Sequence, residues 1–439
     1  RVGFLSAHFR WHSVGRLTIG LLERLSSSCS LEIMVIDASI DAVGGAMVES
    51  SDPAGTPAAT KRNHALQNAQ KAVAALKLDV LVYADVGMDA LTTSLAHGRL
   101  SPVQVAFWGH PGTTGLSTMD YFISSDLFEG ELGAHRDRTR VRGHDRGGFF
   151  SANATAVDGG NARPLAVAET SVRQDAFSEQ LVRLGGLGIV FDDPTQTFGW
   201  DPYCGNPDDI SGAETLSRSS RPRWYVCAQS LMKMHPAFDA VLTGILAADP
   251  LAQILLLRDP RQLLWHSRFR RRLRAAMDAA ERQAWEPTSG ADDPSSPLSR
   301  QPGDFWGRVR FLSPLSGREF FRLQCRADVV LDPFPFGGGV TTLEALACGT
   351  PVVTAGALQS VHRLAEGMIV AAANANRQDA KEHHSTGNEY VEKAVAVVAP
   401  GALKERVRRA LCSGRDGMLR GDGDSVATDW ERFLKRAAA

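Results

Sequence analysis

Residues 327–346 read ADVVLDPFPFGGGVTTLEAL: a short apolar strand pattern runs into three consecutive glycines and then into a helix pattern. Glycines at this point let backbone N–H groups and the positive end of the helix face an anion without side-chain obstruction. We predict that a diphosphate binds there, with Thr341 and Thr342 as cap and phosphate hydroxyls and Glu344 accepting from ribose hydroxyls. The alternative is an ordinary glycine turn before a capped helix.

Short strand patterns alternate with longer helix patterns on both sides of this stretch, which is typical of parallel sheets covered on both faces. The predicted strands span 2–6, 31–36, 80–83, 103–108, 224–227, 254–257, 309–312, 329–331 and 352–354. Since 439 residues exceed what one core usually supports, we predict an α/β chain of two doubly wound, Rossmann-like lobes.

Three segments without periodicity divide the chain. The predicted N-terminal lobe is 1–195 with an insertion at about 130–172, and the linker is 196–222. The predicted C-terminal lobe is 223–439 with an insertion at about 286–304. The chain opens at Arg1 directly in an apolar run, and we therefore expect a fragment or a processed chain.

Composition limits the classes of partner. Lysine and arginine (48) nearly balance aspartate and glutamate (49), so neither a nucleic acid nor a membrane is indicated as a partner, and no basic amphipathic docking helix is expected. Six scattered cysteines without CxxC spacing predict no structural zinc and a reducing compartment, hence the cytoplasm or nucleus. The one Asp-x-Asp, at 422–424, lies in a polar tail, so we expect no metal and no other cofactor.

Lys233 follows a predicted strand, at a junction between a strand and a helix. Without a metal, a cation must stabilise a departing diphosphate, and Lys233 is the candidate. The alternative is a solvated surface lysine. The chain contains neither a P-loop motif nor a dinucleotide-binding GxGxxG after its first strand, which disfavours nucleotide hydrolases and dinucleotide oxidoreductases.

Two loops of the first half carry histidines. His8, His12 and Arg16 follow the first strand, and His12 is a candidate to deprotonate or orient an acceptor, with a simple helix cap as the alternative. The loop after residues 103–108 is rich in glycine and is predicted to approach the donor phosphate or the acceptor, unless it is a mere turn. Its candidate residues are His110, Pro111, Gly112 and Thr113.

Four ordered blocks resemble the catalytic region of the protein O-GlcNAc transferase and SPINDLY family, without the tetratricopeptide repeats that such chains carry upstream. The blocks are 4–6 with 12–17, 101–115, 119–121 and 331–353. The resemblance implies a GT-B fold and an inverting, metal-independent transfer of GlcNAc from UDP-GlcNAc to Ser or Thr hydroxyls of proteins. The insertion at 130–172 lies where the family connects its N-terminal lobe to the strand that matches residues 181–184 of this chain.

The resemblance also implies roles for single residues. His12 matches an active-site histidine, Lys233 the lysine that contacts the diphosphate, and Phe320 the position that stacks on the nucleobase. The implied donor-binding set is Phe320, Gly338, Gly339, Val340, Thr341, Thr342 and Glu344. Residues 338–340 stand where the family often has a histidine before paired threonines, and Ser230 replaces a glutamine of the GlcNAc branch.

These departures keep other functions open. One is transfer of fucose from GDP-fucose to proteins, as in SPINDLY. A second is a catalytically silent module that binds a nucleotide or a peptide. A third is a transferase of the same fold that acts on a lipid or a polysaccharide. The expected partners are a nucleotide-sugar donor and protein acceptors.

Overall fold

The computed structural model describes residues 1–9, 12–27, 30–39, 58–129, 176–201, 203–204, 221–285, 304–355, 360–373, 384–385, 387–421 and 423–439. The predicted insertion at 130–172 lies outside these residues, as do 286–303 of the second insertion and most of the predicted linker.

The first half of the chain forms a six-stranded parallel sheet in the order β2-β1-β3-β4-β5-β6. Its strands are β1 (Val2–Ser6), β2 (Ile33–Asp37), β3 (Val80–Tyr83), β4 (Val103–Phe107), β5 (Tyr121–Ser125) and β6 (Gln180–Leu184). The helices between them are α1 (Ser13–Ser26), α2 (Ala58–Ala75), α3 (Ala90–Ala96) and α4 (Asp126–Glu129).

The second half forms another six-stranded parallel sheet, in the order β12-β11-β10-β7-β8-β9. Its strands are β7 (Arg223–Cys227), β8 (Ala252–Leu257), β9 (Val309–Leu312), β10 (Val329–Leu331), β11 (Val352–Ala355) and β12 (His384–Ser385). The helices from residue 194 onward are α5 (Pro194–Phe198), α6 (Pro236–Ala248), α7 (Leu263–Trp285), α8 (Gly317–Arg326), α9 (Val340–Ala347), α10 (Ser360–Ala373), α11 (Gly387–Val398), α12 (Ala402–Arg420) and α13 (Gly423–Ala438).

The predicted doubly wound α/β class is confirmed, and all nine predicted strands are present within two residues of their bounds. Buried central strands read as continuous apolar runs, which is why they were visible in the sequence. Three strands were not among these nine: β5, about half of which is polar, β6, which only the family resemblance implied at 181–184, and β12, which has only two residues.

The last helix returns to the first sheet. The ring of Trp430 in α13 lies 5.9 Å from that of Phe4 and 5.5 Å from that of Phe107, and its indole N–H donates to the Gly188 carbonyl at 2.9 Å. The predicted C-terminal lobe, 223–439, therefore includes a helix that packs with the first sheet. Periodicity shows that a helix is amphipathic but not which sheet covers its apolar face.

Cysteine pairing differs from the expectation. The structure joins Cys204 to Cys412 and Cys325 to Cys348, while Cys227 is free and buried. The predicted reducing compartment rested on unpaired cysteines and loses that support. Among the described helices, none combines the length and the apolar content needed to cross a bilayer.

Candidate functional site

The loop of residues 332–339, here called the glycine loop, is anchored by a buried carboxylate. Asp332 directly follows β10, and one of its oxygens accepts from the Gly338 N–H at 2.6 Å. The other accepts from the Thr354 hydroxyl at 2.8 Å. Complete burial raises the pKa of Asp332 to about 6. The sequence analysis did not single out Asp332; a buried acid at the end of a strand was the available signal.

The three glycines differ in their surroundings. A Cβ on Gly337 would lie 2.6 Å from the Asp332 carboxylate, and one on Gly338 would lie 2.6 Å from the Gln229 amide nitrogen. A Cβ on Gly339, in contrast, would meet nothing within 4 Å. Helix α9 begins next to this open space without a side-chain cap. Its first N–H groups are therefore left for water or an anionic ligand.

Lys233 lies at the glycine loop. Its ammonium donates to the Gln229 side-chain oxygen at 2.9 Å and to the Gly337 carbonyl at 3.0 Å, and it lies 4.5 Å from the centre of the Phe336 ring. Burial lowers the pKa of Lys233, against the opposing charge of Asp332. Both hydrogen-bond partners are neutral, and an ammonium has three donors. The geometry thus provides a half-buried cation with capacity to bind an anion.

Gln229 was missed by the sequence analysis. Its amide nitrogen donates to the Thr341 hydroxyl while its oxygen accepts from Lys233, so one side chain connects the lysine to the first turn of α9. Thr341 keeps its own hydroxyl proton for another partner. Val340 and Thr342 of the predicted donor-binding set are buried, and the Thr342 N–H donates to the Gly339 carbonyl at 2.9 Å.

A cavity of about 320 Å³ adjoins this arrangement. Its lining includes Gln229, Ser230, Leu315, Phe320 and, at the start of α7, Trp265. Phe320 thus lines a cavity, and its stacking on a nucleobase, which the resemblance implies, stays a prediction.

Glu344 does not face open space. One carboxylate oxygen accepts from the Arg16 guanidinium at 2.5 Å, and the other accepts from the Gln324 amide at 2.9 Å. Arg16 also covers the ring of Phe191 at 4.9 Å. Because Arg16 belongs to α1 and Glu344 to α9, this ion pair joins the two halves of the molecule. The predicted contact of Glu344 with a ribose stays a prediction.

His110 lies in the loop after β4, near the glycine loop. Its ring centre lies 6.5 Å from that of Phe336, which in turn packs on Lys233. Burial lowers the pKa of His110, so the ring is neutral at pH 7. Within the part of the chain that the structure describes, its imidazole has no hydrogen-bond partner. Gly112 lies beside the same ring.

The other predicted residues of this loop have structural contacts. The Thr113 hydroxyl donates to the buried carboxylate of Glu179 at 2.7 Å and lies 3.0 Å from the Ser178 hydroxyl, which ties the loop to the residues before β6. Pro111 is buried within the same loop. The four predicted residues are thus together, but His110 is the one that approaches the glycine loop.

No family model and no curated protein matches the chain. A lysine-to-methionine mutant of the O-GlcNAc transferase of Thermobaculum terrenum is similar in structure over 100% of this chain and 67% of its own, with 19% identity and a TM-score of 0.63. A glycosyltransferase of Rickettsia africae ESF-5 is similar over 99% of this chain and 98% of its own, with 9% identity and a TM-score of 0.50. The chain has a GT-B fold.

Within this GT-B fold, His12 is a helix cap. Its Nδ1 accepts from the Val14 N–H at 3.3 Å, and its ring stacks on that of His8 at 4.2 Å. Burial and the neighbouring His8 lower its pKa. A neutral ring whose Nδ1 accepts carries its proton on Nε2, so His12 is set to donate a hydrogen bond rather than to remove a proton. The helix cap that the sequence offered as the alternative is therefore present, and a role of His12 toward an acceptor stays a prediction.

A buried acid close to His8 was also not predicted from the sequence. Asp85, after β3, is fully buried and accepts from the Ser6 hydroxyl at 2.8 Å and the Ala7 N–H at 3.1 Å. His8 Nε2 lies 3.9 Å from the same carboxylate. Burial raises the pKa of Asp85 despite these contacts. Asp85 thus fixes the loop that carries His8 and His12 in the GT-B cleft.

Proposed function

We propose that this GT-B chain is a glycosyltransferase that uses a nucleoside diphosphate sugar, and that its reaction is inverting transfer of GlcNAc from UDP-GlcNAc to protein Ser or Thr hydroxyls. The supporting observation is the half-buried ammonium of Lys233 at the glycine loop, beside the uncapped start of α9. An ammonium and free helix N–H groups that converge on one open space form a site for a diphosphate. The choice of UDP-GlcNAc and of protein acceptors rests on the sequence resemblance.

In this reaction the acceptor oxygen forms a bond to the anomeric carbon while the bond from that carbon to the phosphate oxygen breaks. The electron pair leaves with the nucleoside diphosphate, and the new negative charge is stabilised by Lys233 and the first N–H groups of α9. The hydroxyl proton passes to a neutral base. His110, neutral and without a partner in the described structure, faces the glycine loop and serves as that base.

Ligand binding tests the donor class. We expect UDP and UDP-GlcNAc to raise the melting temperature of the purified chain, because a ligand at 100 times its Kd stabilises by about 2.7 kcal/mol. A rise with GDP and GDP-fucose alone would replace the GlcNAc assignment by fucose transfer. A folded sample that responds to none of the four ligands would refute the nucleotide-sugar site altogether.

Substitution of the lysine tests catalysis. Lys233→Ala removes the cation that stabilises the leaving diphosphate, and we expect turnover to fall by about 10² to 10³, measured as release of UDP from UDP-GlcNAc. Lys435→Ala is the matched control, since this lysine lies on α13 and pairs with Glu431 on the surface. Equal rates in the wild type and the folded Lys233→Ala protein would remove Lys233 from the mechanism.

A further inference from the structure

A second surface lies at the start of helix α7, on the outer side of the cavity that adjoins the glycine loop. Leu263 is 66% exposed, Leu264 58% and Trp265 37%. Met232, in a turn that contacts α7, is 65% exposed. These are four of the seven large apolar side chains that are exposed among the described residues. Isolated exposed leucines are ordinary, but a group of four marks an interaction surface.

The same segment is rich in arginine. Residues 263–274 contain five arginines and no acidic residue, in a chain whose net charge is −1. Some of these arginines have structural partners: Arg272 donates to Asp239 at 2.6 Å, and Arg270 and Arg274 cover the ring of Trp306.

Three other arginines are available to a partner. Arg258, Arg268 and Arg271 are exposed, and none has an ion-pair partner among the described residues. Arg258 precedes the apolar residues 263–265 in the loop after β8, and Arg268 and Arg271 follow them on α7. We call residues 258–271 of this surface, together with Met232, the docking patch.

The helical period explains how the docking patch is arranged. Leu273 is fully buried, and Leu264, nine residues earlier, lies half a turn away on the opposite side of the helix. Arg268 and Arg271 follow Leu264 by four and seven residues and share its face. The outward face of α7 therefore carries an apolar end and a basic stripe in continuous sequence.

We propose that the docking patch binds the surface of an anionic lipid membrane. A membrane interface accepts leucine and tryptophan side chains below the headgroups and arginines at the phosphates, so it satisfies both halves of the patch. A nucleic acid would pair with the arginines but would leave the two leucines in water. This proposal does not rest on the proposed function. It revises the expectation, drawn from overall charge and pattern, that no basic amphipathic docking helix and no membrane partner exist.

The docking patch lies next to the cavity that adjoins the glycine loop. Arg258 and Trp265 also line the cavity beside the glycine loop. Docking would therefore hold the mouth of that cavity close to the lipid surface.

Vesicle flotation of the full chain tests the proposal. We expect binding to vesicles of phosphatidylcholine with 30% phosphatidylserine at low salt, little binding to phosphatidylcholine alone, and weakening at high salt. Arg268→Ala with Arg271→Ala should weaken binding about thirtyfold, as expected for two arginines at an anionic surface. Leu263→Ser with Leu264→Ser should weaken it about tenfold or more. All four side chains are exposed, so the variants should keep the wild-type melting temperature.

Arg432→Ala with Arg436→Ala is the matched control, because it removes the same charge from the exposed face of α13. Unchanged binding in this control together with loss in both patch variants supports the proposal. Absence of binding to anionic vesicles at low salt overturns it, and so does an equal loss in the control. Binding that the leucine variant does not weaken, and that RNA displaces, would identify a general polyanion site and would also overturn it.

Discussion

Replacing Asp332 by asparagine should make the protein more stable. A pKa raised from 3.8 to about 6 means that ionised Asp332 costs the folded state about 3 kcal/mol at neutral pH. Asparagine has nearly the same shape, and its oxygen can accept from the Gly338 N–H. Its amide nitrogen can donate to the Thr354 hydroxyl, which turns to accept. Asp332→Asn therefore removes a buried charge while it keeps both hydrogen bonds of the glycine loop.

The stability gain of Asp332→Asn depends on pH because the pKa of Asp332 is raised in the folded protein. Between pH 3.8 and about 6 the folded protein holds the Asp332 proton while the unfolded chain has released it, so wild-type stability falls as pH rises through this window. The amide does not titrate. The gain of Asp332→Asn should thus be about 3 kcal/mol at pH 7.5 and about 1 kcal/mol at pH 4.5.

Urea unfolding followed by tryptophan fluorescence at both pH values measures the gain. Asp328→Asn is the matched control at the opposite end of β10. Asp328 is bound to Lys404 at 2.5 Å and to Arg221 at 2.7 Å, and these charges hold its pKa below the usual value despite burial. Asparagine there should lower stability, by about 3 kcal/mol at pH 7.5. An Asp332→Asn protein no more stable than wild type at pH 7.5, or a gain unchanged at pH 4.5, would refute the reasoning.

Three further predictions concern substitutions of site residues. Gly338→Ala should lower both the melting temperature and the UDP affinity, because its Cβ meets neighbouring side chains at 2.6 to 2.7 Å. Gly339→Ala, whose Cβ meets nothing, should keep the melting temperature and weaken UDP binding at least tenfold. Unchanged UDP affinity in Gly339→Ala would mean that the diphosphate lies elsewhere. Arg16→Ala and Glu344→Ala should show a coupling of about 1 to 3 kcal/mol in a double-mutant cycle of urea unfolding, and additive losses would contradict the ion pair. His110→Gln should slow turnover and remove the loss of rate of the wild type at acid pH, where the imidazole, whose pKa burial lowers, becomes protonated; an unchanged pH profile would exclude it as the base.

The sequence was sufficient for the parts of the fold that depend on local patterns. Buried parallel strands are short apolar runs, and the triple glycine before a helix marks the carboxyl edge of β10. The position of Lys233 near this loop was also predictable, because the carboxyl ends of neighbouring parallel strands meet at one edge of the sheet. These predictions needed no knowledge of which distant residues touch.

The missed residues depend on contacts that periodicity does not show, within one loop for Asp332 and Gly338 and between distant segments for Gln229 and Thr341. Asp332 matters because it accepts from the Gly338 N–H, and Gln229 because it donates to the Thr341 hydroxyl. The periodicity of the sequence reveals neither hydrogen bond. The disulfide between Cys204 and Cys412 spans 208 residues. The docking patch was invisible for a related reason: a helix of mixed apolar and basic residues becomes an exposed surface only when its buried face is known.

Glu344 shows how a contact between the lobes changes the reading of a residue. The resemblance assigns it to the ribose of the donor, whereas the structure gives one of its oxygens to Arg16 across the cleft and the other to Gln324. A carboxylate has about four lone-pair positions, and each Glu344 oxygen already accepts one hydrogen bond. A ribose hydroxyl can therefore bind Glu344 together with Arg16 only at an oxygen that accepts a second hydrogen bond. If the ribose instead displaces Arg16, donor binding breaks the ion pair between the lobes, and Arg16→Ala should then tighten donor binding while it lowers stability. Weaker donor binding in Arg16→Ala would mean that the arginine holds Glu344 in place for the ribose.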